Sequence, residues 1–243
     1  MKNWWIGVVA VLVLGAIMFM SDRKLENPSG RELIRNQDEY VNSNNRAFRL
    51  CYDIFQREIS GGAITESDKD KVREALKDFE AMRLYNRTHV QSDFGAGMCY
   101  LILGEKEKAS ECFQQAIENK TKDNDANKIA MELTVYESAA QLSKVTLDLA
   151  AQEIGNFNSL SQANDKAGAE AAKQRSLNYY NKALEAANIA VTGKPDSAAY
   201  LVDRANVYLA LKKDDLAKED VAKAKVLNPQ DPTVKMAAKM LGL

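Results

Sequence analysis

Apolar residues in this chain fall into one uninterrupted run followed by a series of helical stripes. Residues 4–20 carry no charge. From residue 31 onward, apolar positions recur mostly at spacings of three, four and seven, the period of an amphipathic helix. Leu33, Ile34, Tyr40, Val41, Ala47, Phe48, Leu50, Cys51, Ile54 and Phe55 predict a helix over 31–59. The polar patch 42–45 weakens its stripe and offers a point for a break. Ser60-Gly61-Gly62 ends it. Thr65 to Asp68 opens the next helix, with Val72, Ala75, Leu76, Phe79, Met82 and Leu84 on its apolar side. A long run over 124–154 is predicted to stop at Gly155-Asn156, with a polar loop to about 164. A helix then resumes near Asp165 and runs to about 192, with Gly193 as a glycine just past its end. Asp231 and Pro232 form an N-cap and first helical residue for a last helix over 232–242.

Two stretches share a finer pattern. Pro195 and Pro229 lie 34 residues apart. Counting from Ala198, Ala205 is position 8, Tyr208 position 11, Ala217 position 20, Val221 position 24, Ala224 position 27 and Pro229 position 32. Counting from Val90, Gly97, Tyr100, Gly104, Ala109, Phe113 and Ala116 fall at positions 8, 11, 15, 20, 24 and 27. Small residues at 8 and 20 let two helix backbones approach, and the tyrosine fills the space towards the next helix. Asp214 is the expected N-cap of the second helix of the later stretch. Ala183, Ala187 and Ala190 repeat the second-helix register before Pro195. These spacings resemble the tetratricopeptide repeat (TPR) family. The resemblance implies an all-α, TPR-like α-solenoid of about four helical hairpins (31–87, 90–123, 124–193 and 196–228). The helix over 232–242 would cap it, and one transmembrane helix would precede it. The third hairpin is overlong, with both helices roughly twice the usual length.

The uncharged run reads as a membrane anchor over 4–21, joined by a linker over 22–30. With its neighbours it would make a helix of about 28 Å at about 1.5 Å per residue, against a bilayer core of about 30 Å. Trp4 and Trp5 stand where an interfacial aromatic belt would be. A cleaved secretory signal is the rival reading. The run is longer than the usual apolar region of such signals and lacks an A-x-A-like end. No cysteine follows it, which excludes a lipoprotein signal. Arg23, Lys24, Arg31 and Arg35 outweigh Lys2 and favour a cytoplasmic helical part. Resemblance to a bacterial Sec-type signal anchor favours the extracytoplasmic (periplasmic) face, and the reading leans that way.

Composition narrows the chemistry. Net charge is −1, which gives no electrostatic case for nucleic acid. Three cysteines, Cys51, Cys99 and Cys112, make no disulfide framework and read as small core residues. Cys99 and Cys112 fall on the two helices of one hairpin, where an oxidising compartment would permit a bond. The single histidine, His89, has no ligand-spaced neighbours and reads as a helix-junction residue. Gly95 and Gly97 lie inside a helix and read as packing glycines. The acid pairs Asp214-Asp215 and Glu219-Asp220 read as exposed, near a helix start. No catalytic residue, metal site or cofactor site emerges.

Binding remains. In the TPR family the first helices line a concave groove. The resemblance carries this to Gln91, Phe94, Met98, Leu101 and Ile102 in one repeat, and to Val202, Asn206 and Leu209, with Ala199 and Ala210, in the other. The Lys and Asn residues with which some repeats clamp a terminal carboxylate are missing. The expectation is a non-enzymatic, membrane-anchored scaffold holding a protein or peptide partner in an apolar groove. Self-association through the solenoid ends, as a homo-oligomer, is the alternative.

Overall fold

The computed structural model describes residues 32–59, 62–86, 88–121 and 128–243. The predicted anchor at 4–21 and linker at 22–30 lie outside them. Among the described residues the protein is all-α, and no helix is long and apolar enough to cross a membrane. The chain divides into two compact units, one ending at Thr134 and the other beginning at Val135.

The first unit contains α1 (Glu32–Ile59), α2 (Glu66–Tyr85), α3 (Val90–Ile102) and α4 (Lys106–Glu118). A short 3-10 turn (Asn119–Thr121) follows, and then the opening turns of α5 (Lys128–Gln162). α1 runs unbroken through the Asn-rich patch at 42–45. Its buried face is Ala47, Cys51 and Ile54, at i, i+4, i+7. Against it lie Val72, Ala75, Phe79 and Met82 of α2, followed by Ala96, Cys99 and Ile102 of α3 and Cys112 of α4. Thr65 caps α2 reciprocally: its hydroxyl accepts from the Asp68 amide at 3.2 Å, and the Asp68 carboxylate accepts from the Thr65 amide at 3.0 Å. Arg46 pairs with Asp78, and Arg57 with Asp68, so α1 and α2 are antiparallel.

The two glycines of α3 are packing residues. A Cβ at Gly95 would stand 2.4 Å from the Phe79 ring, and one at Gly97 would stand 2.7 Å from the Phe113 ring. Each absence of a side chain lets a neighbouring helix seat an aromatic ring against backbone.

The second unit contains the rest of α5, α6 (Lys166–Gly193), α7 (Ala198–Ala210), α8 (Asp214–Leu227) and α9 (Pro232–Leu241). α5 does not stop at Gly155; it continues to Gln162. A single glycine costs about 1 kcal/mol in a helix, which packing along the rest of this helix offsets. α6 returns antiparallel to α5. The Ser176 hydroxyl donates to the Ala150 carbonyl at 3.1 Å, Arg175 pairs with Glu153 at 2.9 Å, and the Tyr136 ring lies over Gly193. Gly193 is therefore the last residue of α6, not a residue beyond it. It is glycine because a Cβ would meet Tyr136 at 2.2 Å.

The predicted register holds inside both short hairpins. Ala109, Phe113 and Ala116 in one, and Ala205, Ala217, Val221 and Ala224 in the other, are all buried. Two local readings need correction. α8 begins at Asp214, so Asp214 lies in the first turn, favourable to the helix dipole, and Lys213 holds the cap position without a side-chain bond. Asp220 is buried rather than exposed, paired with Arg204 of α7. Asp231 caps α9 as its sequence predicts, accepting from Thr233 and Val234. α9 closes over α7 and α8 with Val234, Ala237 and Ala238.

Candidate functional site

The expected groove residues divide by exposure. On α3, Gln91, Met98 and Ile102 are buried, while Phe94 and Leu101 are half-buried. The Phe94 ring leans on Phe113 of α4, centroids 6.0 Å apart. The Gln91 Oε1 is buried, with no hydrogen-bond partner among the described residues. On α7, Val202 is buried, Leu209 is half-buried and Asn206 is exposed. Phe94, Leu101, Asn206 and Leu209 thus keep surface to offer. Met98 and Ile102 are sealed within the first unit, Ile102 as part of its core, and Val202 is sealed within the second.

His89 is a junction residue. It precedes α3 and its Nδ1 accepts from the Ser92 amide at 3.3 Å, with the Ser92 hydroxyl 2.8 Å away. Just below it, Asp93 is nearly sealed from solvent and ties three elements together. Arg83 of α2 donates to Asp93 Oδ1 at 2.6 Å, and Asn119 of the 3-10 turn donates to Oδ2 at 2.8 Å. Burial pushes the Asp93 carboxyl up, opposed by the Arg83 charge and the two hydrogen bonds. The periodic pattern hides this knot, because its members come from three different elements. Tyr100 on α3 donates to Glu80 of α2 at 3.2 Å, and the Lys108 ammonium sits 5.2 Å from its ring centre.

The second unit has polar ties of its own between α5 and α7. The Tyr200 hydroxyl donates to Glu137 at 2.8 Å, and Lys144 pairs with Asp203 at 3.2 Å. Burial drives the Tyr200 phenol far above its ordinary range, reinforced by the Glu137 charge. Burial raises the Asp203 carboxyl, and the Lys144 charge resists that rise. Behind them, Arg204 reaches both oxygens of Asp220, at 2.7 and 2.8 Å, and Asn188 at 3.2 Å. Its guanidinium lies 5.6 Å from the Tyr208 ring centre. Among the described residues, no group of three or more His, Cys, Asp or Glu could hold a metal ion.

A tetratricopeptide repeat family model matches residues 94–123, which hold most of α3 and all of α4. No curated protein sequence matches the chain. Three solved structures resemble it. One is described as MamA RS-1 ArsTM double mutant: 14% identity over 81% of this chain and 98% of that one, TM-score 0.33. The second is YrrB, described as a TPR protein with an unusual peptide-binding site: 17% identity over 71% and 86%, TM-score 0.28. The third is the APC/C hetero-tetramer Cut9–Hcn1: 14% identity over 96% of this chain and 48% of that one, TM-score 0.26. At these scores the likeness defines neither overall shape nor partner. The repeat at 94–123 places the segment in a class that generally mediates protein–protein interaction.

Proposed function

We propose that this protein is a non-enzymatic adaptor, tethered to a membrane through residues 4–21, whose first-helix faces bind a peptide segment of another protein. The observation that carries the reading is on α3. Phe94 and Leu101, two turns apart inside the matched repeat, remain half-buried although both are large and apolar. Buried Met98 lies between them, giving a firm apolar floor with two accessible edges. On α7, Asn206 and Leu209 offer an amide and an apolar side chain.

The test is a pull-down from detergent-solubilised membranes with the full chain as bait. Leu101→Asp should abolish recovery of the partner while thermal unfolding of the chain is unchanged. Recovery at the wild-type level would sink the groove. Tethering is tested by alkaline extraction: the chain should stay with the membrane, and removing residues 4–21 should release it. We place the helical part on the extracytoplasmic face. All three native cysteines are buried, so a cysteine placed at exposed Lys166 would report the side through a membrane-impermeant thiol reagent on intact cells.

Self-association is the second reading, favoured by α9. Met236 and Met240, one turn apart, are 66% and 69% exposed on the face turned away from α7 and α8. Light scattering on residues 25–243 decides it: a strict monomer at high concentration removes this reading, and an oligomer dissolved by Met236→Lys with Met240→Lys establishes it.

A further inference from the structure

We propose that Cys51 and Cys99 form an oxidisable pair whose disulfide staples α1 to α3. The sequence places Cys99 and Cys112 on one hairpin, but the fold brings together a different two. The Cys51 and Cys99 sulfurs lie 3.6 Å apart, each the hydrogen-bonding neighbour of the other. Both are buried in the first unit's core, beside Ala47 and Ala96. These alanines, one turn before each cysteine, let the two helices approach closely. α1 and α2 are antiparallel, as are α2 and α3 through Arg83–Asp93 and Phe79–Gly95. α1 and α3 therefore run the same way, and a bond between them would tie elements separated by the whole of α2.

The chemistry requires little movement. A disulfide has its sulfurs about 2.05 Å apart, so the pair must close by about 1.6 Å. The oxidant is a small-molecule disulfide, RSSR. One cysteine thiolate attacks RSSR, forming a mixed disulfide and releasing one thiolate, which takes up a proton. The second cysteine loses its proton and displaces the remaining RS group. The balance is two protein thiols plus RSSR giving one intramolecular disulfide and two RSH, with two electrons passing to the reagent. The hydrogen bond to Cys51 and burial both hold the Cys99 thiol well above its ordinary range. Since the thiolate is the nucleophile, attack waits on local opening, and oxidation of the folded chain is slow and selective.

The experiment incubates the full chain with oxidised glutathione, then quenches, denatures and alkylates it. The expected product is a monomer lighter by two hydrogens, with one alkylated cysteine, Cys112, and a linked peptide containing residues 51 and 99. Its Tm is higher than that of the reduced chain, because the bond closes a long loop in the unfolded state. Cys112→Ser should oxidise like the wild type, and Cys51→Ser should form no intramolecular bond. Three alkylated cysteines at equilibrium, a linkage through Cys112, or a persistent glutathione adduct would each overturn the proposal. If Cys51→Ser does not fold, the linkage map of the Cys112→Ser chain decides alone.

Discussion

Gly104 and Lys212 occupy the same point of two different hairpins and share one left-handed backbone conformation, with φ of 81° and 57°. Each closes its hairpin with the same bonds. The Glu105 amide donates to the Tyr100 carbonyl, and the Lys213 amide donates to the Tyr208 carbonyl. One residue earlier, Gly104 donates to Leu101 and Lys212 to Leu209. The overlong hairpin closes identically: Asp165 donates to Leu160, and Asn164, with φ of 59°, donates to Ser161. One turn chemistry thus serves these three hairpins, met by glycine, asparagine and lysine in turn.

Lysine is the poorest of the three residues at such a site, since its Cβ crowds the backbone by about 1 kcal/mol or more. Lys212→Gly should therefore raise Tm, and Gly104→Ala should lower it, each by an amount equivalent to about 1 kcal/mol. Differential scanning calorimetry on both variants checks the pair. A destabilised Lys212→Gly would mean that the lysine side chain contributes more than its backbone strain costs.

Tyr136 and Gly193 make a second, sharper test. Gly193→Ala brings a Cβ to 2.2 Å from the Tyr136 ring, and overpacking of this kind typically costs about 1–3 kcal/mol. The same substitution in a Tyr136→Ala background removes the obstacle. There it should stabilise by up to about 1 kcal/mol, the helix preference of alanine over glycine. The sign change, read from urea unfolding of the four chains of the cycle, is the outcome to look for. Equal cost in both backgrounds would show that the glycine is needed for its backbone alone.

The capping carboxylate of α2 sets a pH dependence. Hydrogen bonds from Arg57, then from Thr65, hold the Asp68 carboxyl well below the usual carboxylate range. A depressed native value means that the unfolded chain takes up the proton first as pH falls. The stabilisation is full above about pH 4, the unfolded value, and declines as pH falls towards the native one. Asp68→Asn should thus destabilise most near neutrality, with the gap from the wild type closing at strongly acid pH. Asp93, whose native carboxyl is raised by burial, contributes with the opposite slope and is common to both chains. Urea titrations at pH 7, 4 and 3 test the closing gap.

Local signals made much of this fold legible in sequence. Thr65 and Asp231 announce their helices because a cap is satisfied within three residues. The small residues at repeat positions 8, 20 and 27 are buried where the two helices of a hairpin press together. Non-local features were hidden. Asp220 looks like a surface acid until Arg204, sixteen residues back on the facing helix, is placed against it. Gly155 looks like a stop, but α5 continues to Gln162 and the left-handed turn position falls to Asn164. Gly193 looks like a residue just past its helix, but it is the last helical residue, with the Tyr136 ring above it. Register picks out first-helix positions on α3 and α7, yet their exposure depends on the facing helices. Phe94, Leu101 and Leu209 stay half-buried and Asn206 exposed, while Met98, Ile102 and Val202 are sealed, each within its own unit.

The overlong hairpin yields the last prediction. No residue from 151 through 168 is buried, and only Ala169 and Ala172 are buried between there and Ser176. The far part of α5 and α6 therefore adds little apolar burial to the unit that carries it. Deleting 156–162 and 166–172 removes two turns from each helix and keeps the turn at 163–165. Because whole turns are removed, the facing sides of the two helices stay in register. Asp165 again precedes its helix, and the Ser176–Ala150 and Arg175–Glu153 contacts lie outside the cut. The shortened chain should lose helical signal in proportion to the residues removed, while Tm falls by only a few degrees. Partner recovery is then read separately in the pull-down. Recovery lost with Tm retained would assign the projecting hairpin to recognition. Recovery retained would confine recognition to the remaining surface, including the accessible edges of α3 and α7. A collapse of Tm would show that the projection carries packing that its exposed surface conceals.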